Sequence, residues 1–251
     1  MKIFSNKIFY LLLFVPIFFY TNQSFSQDYK VNTIRLQTRL YLSPVLSFFK
    51  TDPDYSQQYL GYTSPRLGLG ASIREEILFH PGLSASVGIS YLHHNLYFES
   101  YYFEKGYSSI YDKRYNTYHI VKINELQLPL LLNFSFPVGG QVHPQLIYVD
   151  AGWVYRYFVS SSSNITLKDG KELWAGNTHL KMEYPLFNNK GGSMLQAGLG
   201  YEHDHRKNGK AIFFEINYKY GLSRFLYTGN GTSNDLLIGN SFFALVIGYK
   251  F

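Results

Sequence analysis

The chain has 251 residues, no cysteine, a formal net charge of +6 and an aromatic share of 19%, with 24 Tyr, 21 Phe and 21 Gly. The absence of cysteine excludes disulfides, thiolate metal sites and cysteine nucleophiles, and Lys and Arg scattered among acids exclude the basic patch of a nucleic-acid-binding protein. Abundant Tyr, Phe and Gly with few helix-favouring runs favour an all-β chain.

Lys2 and Lys7 precede the apolar run Ile8 to Tyr20, which ends at the small-residue site Ser24-Phe25-Ser26. This pattern predicts a secretory signal peptide over 1–26, cleaved near Ser26, with the exported domain at 27–251. The run is short for a helical membrane span, and no later stretch reaches 18 apolar residues.

The mature chain alternates with a period of two, the mark of strands with one apolar face. Strand one sets Ile34, Leu36, Leu40 and Leu42 against Arg35, Gln37, Arg39 and Tyr41. Strand two has Leu67, Leu69, Ala71, Ile73, Ile77 and Phe79 against Gly68, Gly70, Ser72, Arg74 and Glu76. Strand three has Leu83, Ala85, Val87, Ile89 and Tyr91 against Ser84, Ser86, Gly88 and Ser90. Strand four opposes Leu126, Leu128, Leu130, Leu132, Phe134 and Phe136 to Glu125, Gln127, Pro129, Asn133 and Ser135. Strand five opposes Ile147, Val149, Ala151, Trp153, Tyr155 and Tyr157 to Tyr148, Asp150, Gly152 and Arg156. Strand six sets Leu195, Ala197, Leu199 and Tyr201 against Gln196, Gly198, Gly200 and Glu202, and strand seven sets Ile212, Phe214, Ile216, Tyr218 and Tyr220 against Glu215, Asn217, Lys219 and Gly221. The eighth strand is the terminal stretch, with Phe243, Leu245, Ile247, Tyr249 and Phe251 on one face.

Long connections follow strands one, three, five and seven (Lys50 to Arg66, Glu99 to Tyr118, Ser160 to Ser193, Leu222 to Ser241). Short ones follow two, four and six (His80 to Gly82, Pro137 to Pro144, Asp204 to Lys210). An even strand number with alternating long and short loops is the layout of an eight-stranded antiparallel transmembrane β-barrel, an up-and-down meander with both termini in the periplasm.

The polar face is rich in glycine, as the crowded lumen of so small a barrel requires. It also carries Arg35, Arg39, Arg74, Arg156, Lys219 and Lys250 against Glu76, Glu125, Asp150, Glu202, Asp204 and Glu215, a balanced set suited to pairing across a narrow interior. Lys250 is expected near the lumen mouth, within reach of water. Trp153, Tyr155, Tyr157, Tyr218 and Tyr220 toward the long loops, and Phe79, Phe134, Phe136, Tyr249 and Phe251 toward the short turns, form two aromatic girdles. The apolar face therefore meets outer-membrane lipid, and the lumen is filled rather than an open pore.

The terminal alternation ending on Phe251 resembles the signal that barrel-insertion machinery reads at the C-terminal strand of outer-membrane proteins. More specifically, "INELQLPLLLNFSF" with Pro129, "IFFEINYKYGLSRF" and the terminal "LVIGYKF" resemble the PorT-like family of outer-membrane barrels of Gram-negative bacteria, over nearly all of the mature chain. The resemblance implies an eight-stranded barrel in the cell outer membrane. It also implies a role in envelope assembly or, as for one namesake of the family, protein secretion.

No catalytic constellation is readable. His93 and His94 show no His-x-Ser-Asn arrangement like that of lipid A deacylase barrels, and His203 and His205, though at i and i+2, read more simply as part of a solvated turn. The stretches "TDPDYS" and "GNGTSND" lack the full ligand ladder of a calcium loop and read as turns. No catalytic, cofactor-binding or metal residue is assigned, and no cofactor is expected. The Tyr-rich stretch "LYFESYYFEKGYSSIYDKRYNTYHI" reads either as a hairpin extending beyond the membrane, with Tyr as a recognition residue, or as an aromatic belt with a flexible loop. The expected role is thus a non-enzymatic barrel with a protein partner at the outer loops. A lipid A-modifying enzyme and a small-solute channel are the alternatives.

Overall fold

The computed structural model describes residues 35–51, 63–80, 82–104, 113–138, 145–182, 190–206, 210–228 and 235–251. All of these spans fall in one compact unit, Ile34–Phe251. The boundary expected near Ser26 lies outside the described residues. Eight strands carry the fold: β1 (Arg35–Thr51), β2 (Arg66–His80), β3 (Leu83–Glu104), β4 (Lys113–Pro137), β5 (Gln145–Leu167), β6 (Gly191–Arg206), β7 (Lys210–Gly221) and β8 (Asp235–Lys250). Each pairs antiparallel with the next in sequence, and β8 returns to β1 through a register running from Arg39 opposite Lys250 to Thr51 opposite Ile238. The sheet is a closed ring of eight strands, so no edge is left unpaired.

The ring obeys the alternation read from the sequence. Leu36, Leu69, Ile89, Leu130, Val149, Leu199, Ile216 and Leu245 all face outward and exposed, while Arg74, Asp150, Arg156 and Glu215 face inward and are buried. Among the described residues no helix is long and apolar enough to cross a membrane. The crossing is made by strands. An exposed apolar band encircling the whole molecule is stable only against hydrocarbon. Trp153, Tyr155 and Tyr157 lie half-buried and Tyr218 and Tyr220 exposed toward one end of that band, with Phe79, Phe136, Tyr249 and Phe251 exposed toward the other.

Two expectations are corrected. Much of what the sequence assigns to long loops is strand: β3 and β4 remain paired out to Glu104 opposite Lys113, β5 runs to Leu167, and β8 begins at Asp235. Apolar alternation ends where the membrane ends, but a backbone ladder needs no apolar side chain to continue. Likewise β6 continues to Arg206, so His203 lies in a strand rather than in a turn. The side chains of Arg35, Asp204 and His205 lie outside the described residues, as do most of "TDPDYS" and "GNGTSND".

Beyond the membrane the ring is rebuilt from other pieces. β6 and β7 stop at Gly191 and Gly221, and there Glu172–Asn177 pairs with β5 while His179–Met182 pairs with Phe225–Thr228, which pairs in turn with β8. Inside this outer tier Leu96, Phe98, Val121, Ile123, Phe158, Leu180, Met182, Phe225 and Ile238 form an apolar plug.

Candidate functional site

The lumen is stratified. At the periplasmic end Arg39 donates from Nε to Glu76 Oε2 at 2.8 Å and from Nη2 to Glu202 Oε2 at 3.3 Å, and Lys250 pairs with Glu202. Lys250 is therefore buried and ion-paired, not at the water-accessible mouth expected for it, because Glu202 reaches it from β6. One tier further out, Arg74 lies 3.4 Å from Asp150 and 3.7 Å from Glu215, and donates to the Tyr41 hydroxyl at 2.9 Å. Above it Lys219 donates to Gln127 at 2.5 Å, beside a cavity of about 10 Å³, room for one water-sized sphere. Arg156 then lies 3.9 Å from Glu125 and donates to Asn240, with His94 Nε2 3.8 Å from Glu125. The apolar plug closes the outer end.

Such pairing satisfies ions that would be costly to bury alone. Bulk also fills the interior. The Tyr148 ring lies across the lumen against Gly200, and a methyl group at that glycine would overlap it. Ten of the twelve lumen charges read from the sequence are described, and all ten face inward as expected. The arrangement is a packed polar core rather than a passage.

His93 and His94 are separated by the barrel wall. His94 is buried edge-on to Phe242 with ring centroids 4.8 Å apart, whereas His93 faces outward with Nδ1 2.8 Å from Asn124 Oδ1. Among the described residues no three metal-ligating side chains gather.

The built surface lies outside, on the part of the sheet that continues past the membrane. Its base is a polar network in which Tyr91 OH donates to Asn124 Oδ1 at 2.8 Å and Asn124 Nδ2 donates to Ser160 Oγ at 2.8 Å. A bulge between Asn124 and Glu125 on β4 lies at this level. From here the β3–β4 ladder continues to Glu104, roughly 36 Å further along the strand at 3.3 Å per residue. On its outer face the exposed Arg66 guanidinium sits 4.5 Å over the Tyr97 ring, and Tyr97 stacks on Tyr118 with centroids 6.0 Å apart and 19° between planes. Tyr97 OH donates to Glu99 Oε1 at 3.3 Å. Desolvation and the neighbouring Glu99 hold the Tyr97 phenol above its ordinary range, so it remains a donor at neutral pH. The paired strands of the Tyr-rich stretch are those of the hairpin reading, and two of its Tyr residues, Tyr97 and Tyr118, form an ordered ladder with one cation and one carboxylate. Sequence reasoning missed Arg66 here, because only the strand register brings it to Tyr97.

A closed antiparallel ring with a lipid-facing band, lumen-paired charges and long outer strands is a transmembrane β-barrel of the outer-membrane type, and the protein resides in the outer membrane. No family model matches the chain, and no curated protein matches it. Among solved structures, Neisserial surface protein A is similar over 87% of this chain and 98% of its own at 9% identity, with a TM-score of 0.41. Ail, the attachment invasion locus protein of Yersinia pestis, is similar over 86% of this chain and 99% of its own at 10% identity and a TM-score of 0.38. The outer membrane protein AlkL covers 90% and 96% at 11% identity and a TM-score of 0.36. The assignment of class rests on the barrel's own geometry.

Proposed function

We propose that the protein is a non-enzymatic outer-membrane barrel that binds a protein partner through its outer ribbon, in envelope assembly or protein secretion as the PorT-like resemblance implies. The observation that carries this reading is the Arg66–Tyr97–Tyr118–Glu99 ladder, held on a paired ribbon beyond the membrane. Tyr and Arg are the side chains that most often anchor protein interfaces, since they offer large contact area with a polar handle. The plugged lumen favours this role over a solute channel. On the same reading, the C-terminal strand ending in Phe251 is the segment that barrel-insertion machinery engages.

The test is cross-linking from intact cells with a photoreactive residue replacing Tyr118, in the wild-type background and with Arg66→Ala and Tyr97→Ala. A protein adduct that disappears in the double variant supports the reading. Lipid A from a deletion strain provides the opposing arm: an acylation change restored by the wild-type gene would replace binding with lipid modification.

A further inference from the structure

Glu75 breaks the rule of the barrel wall. It pairs across the ladder with Thr38 and Val87, on the outward face that also carries Ile73 and Ile77. Its neighbours Leu36, Leu40, Ile73 and Val87 are all exposed to lipid, at 67%, 42%, 46% and 45%. It lies four positions before Phe79 of the inner girdle, which sets it roughly 10 Å into the hydrocarbon for a strand tilted about 40°. Within the barrel it receives one hydrogen bond there, from Thr38 Oγ1 to Oε1 at 2.8 Å.

A carboxylate facing hydrocarbon is expensive, and ionisable groups at membrane depth pair with something. The lumen cations point to the other side of the wall. The outward Lys and Arg side chains described on the barrel strands, Lys50, Arg66, Lys122 and Lys210, lie at or beyond the ends of the apolar band. A second copy of this chain docked face to face would therefore bring carboxyl to carboxyl, with no described cation at that depth.

We propose that the β1–β2 face around Glu75 is a docking surface, inside the bilayer, for a transmembrane segment of a different membrane protein that presents a lysine or arginine to the Glu75 carboxylate. The opposite charge neutralises the carboxylate where water cannot, and the flanking Leu40, Ile73 and Val87 supply apolar contact around the pair. This surface is independent of the outer ribbon.

The experiment places a photoreactive residue at Ile73 in living cells, with Leu199 on the far side of the ring as control. The expected result is an adduct at position 73 with another membrane protein, its cross-linked peptide lying beside a lysine or arginine of a membrane-spanning segment. In the Glu75→Leu background this adduct should fall at least tenfold while the heat-shifted fraction of folded barrel is unchanged, and Glu75→Asp should retain it. Adducts with lipid alone, with a second copy of the chain, or of equal yield in Glu75→Leu each overturn the proposal. If Glu75→Leu does not assemble, Glu75→Gln replaces it. If neither assembles, the wild-type adduct decides by the presence or absence of the basic residue in its peptide.

Discussion

Phe251 and Thr38 exchange both of their backbone hydrogen bonds, Phe251 N–H to Thr38 O at 3.0 Å and Thr38 N–H to Phe251 O at 3.3 Å. The last residue thus belongs to the seam that closes the ring, and its ring packs edge-on against Tyr249 at 5.2 Å. Deleting Phe251 should lower the heat-shifted, assembled fraction in outer-membrane preparations by more than half, with export across the inner membrane intact. Phe251→Leu keeps both seam bonds and should fall between deletion and wild type. Equal assembly of the deletion and the wild type would sink the assignment.

Leu245 faces lipid at 52% exposure, and Leu245→Arg should cost about 2 to 4 kcal/mol of barrel stability, measured by urea unfolding in lipid. Lys250→Met leaves Glu202 with Arg39 alone and should cost on the order of 2 kcal/mol. The double variant Lys250→Met with Glu202→Gln should recover part of that loss, since the orphaned carboxylate is gone. An additive double variant would contradict the pairing.

Phe158 and Phe225 meet edge-on inside the outer tier at 5.4 Å, within the buried apolar plug that lies above the lumen charges. Purified protein in planar bilayers should show no stable step conductance. Large, long-lived steps would show that the lumen opens.

His119 stacks on Phe98 at 4.6 Å inside the outer tier, and burial pushes its imidazole down to about 4 from the usual 6.5. Because the folded value lies below the unfolded one, the opened ribbon takes up the proton first. Its stability is complete above about pH 6.5 and declines as pH falls toward 4, by on the order of 3 kcal/mol in total. Hydrogen exchange at the Val121 and Ile123 amides, corrected for intrinsic rates, should accelerate between pH 7 and pH 4.5. In His119→Phe that pH dependence should vanish.

The alternation named lipid-facing and lumen-facing residues one by one because each strand crosses two different solvents, and every second side chain must suit the other one. Leu199 and Gly200, or Leu245 and Val246, are told apart by that alone. What the pattern hid was whatever does not obey it. Glu75 sits in a strand whose other outward residues are apolar, and a reading of periodicity passes over a single exception. The outer ribbon was hidden for a different reason: residues 97–104 and 113–119 are polar or aromatic on both faces, as suits a wall with water outside, so nothing marks where strand gives way to loop. Arg66, Tyr97 and Tyr118 are far apart in sequence and meet only through register. Lys250 was misjudged because its partner, Glu202, lies two strands away around the ring, and alternation names the face of a residue but not which lumen charges meet.

Arg39 on β1 and Lys250 on β8 stand opposite each other across the closing seam, and both hold the same carboxylate, Glu202, from within. Parting β1 from β8 would therefore break more than a ladder of backbone bonds, since Arg39 would leave with Glu76 on β2 and lose Glu202, which stays with Lys250. The seam between the first and last strands is thus fastened from inside by an ionic clasp as well as by its backbone ladder.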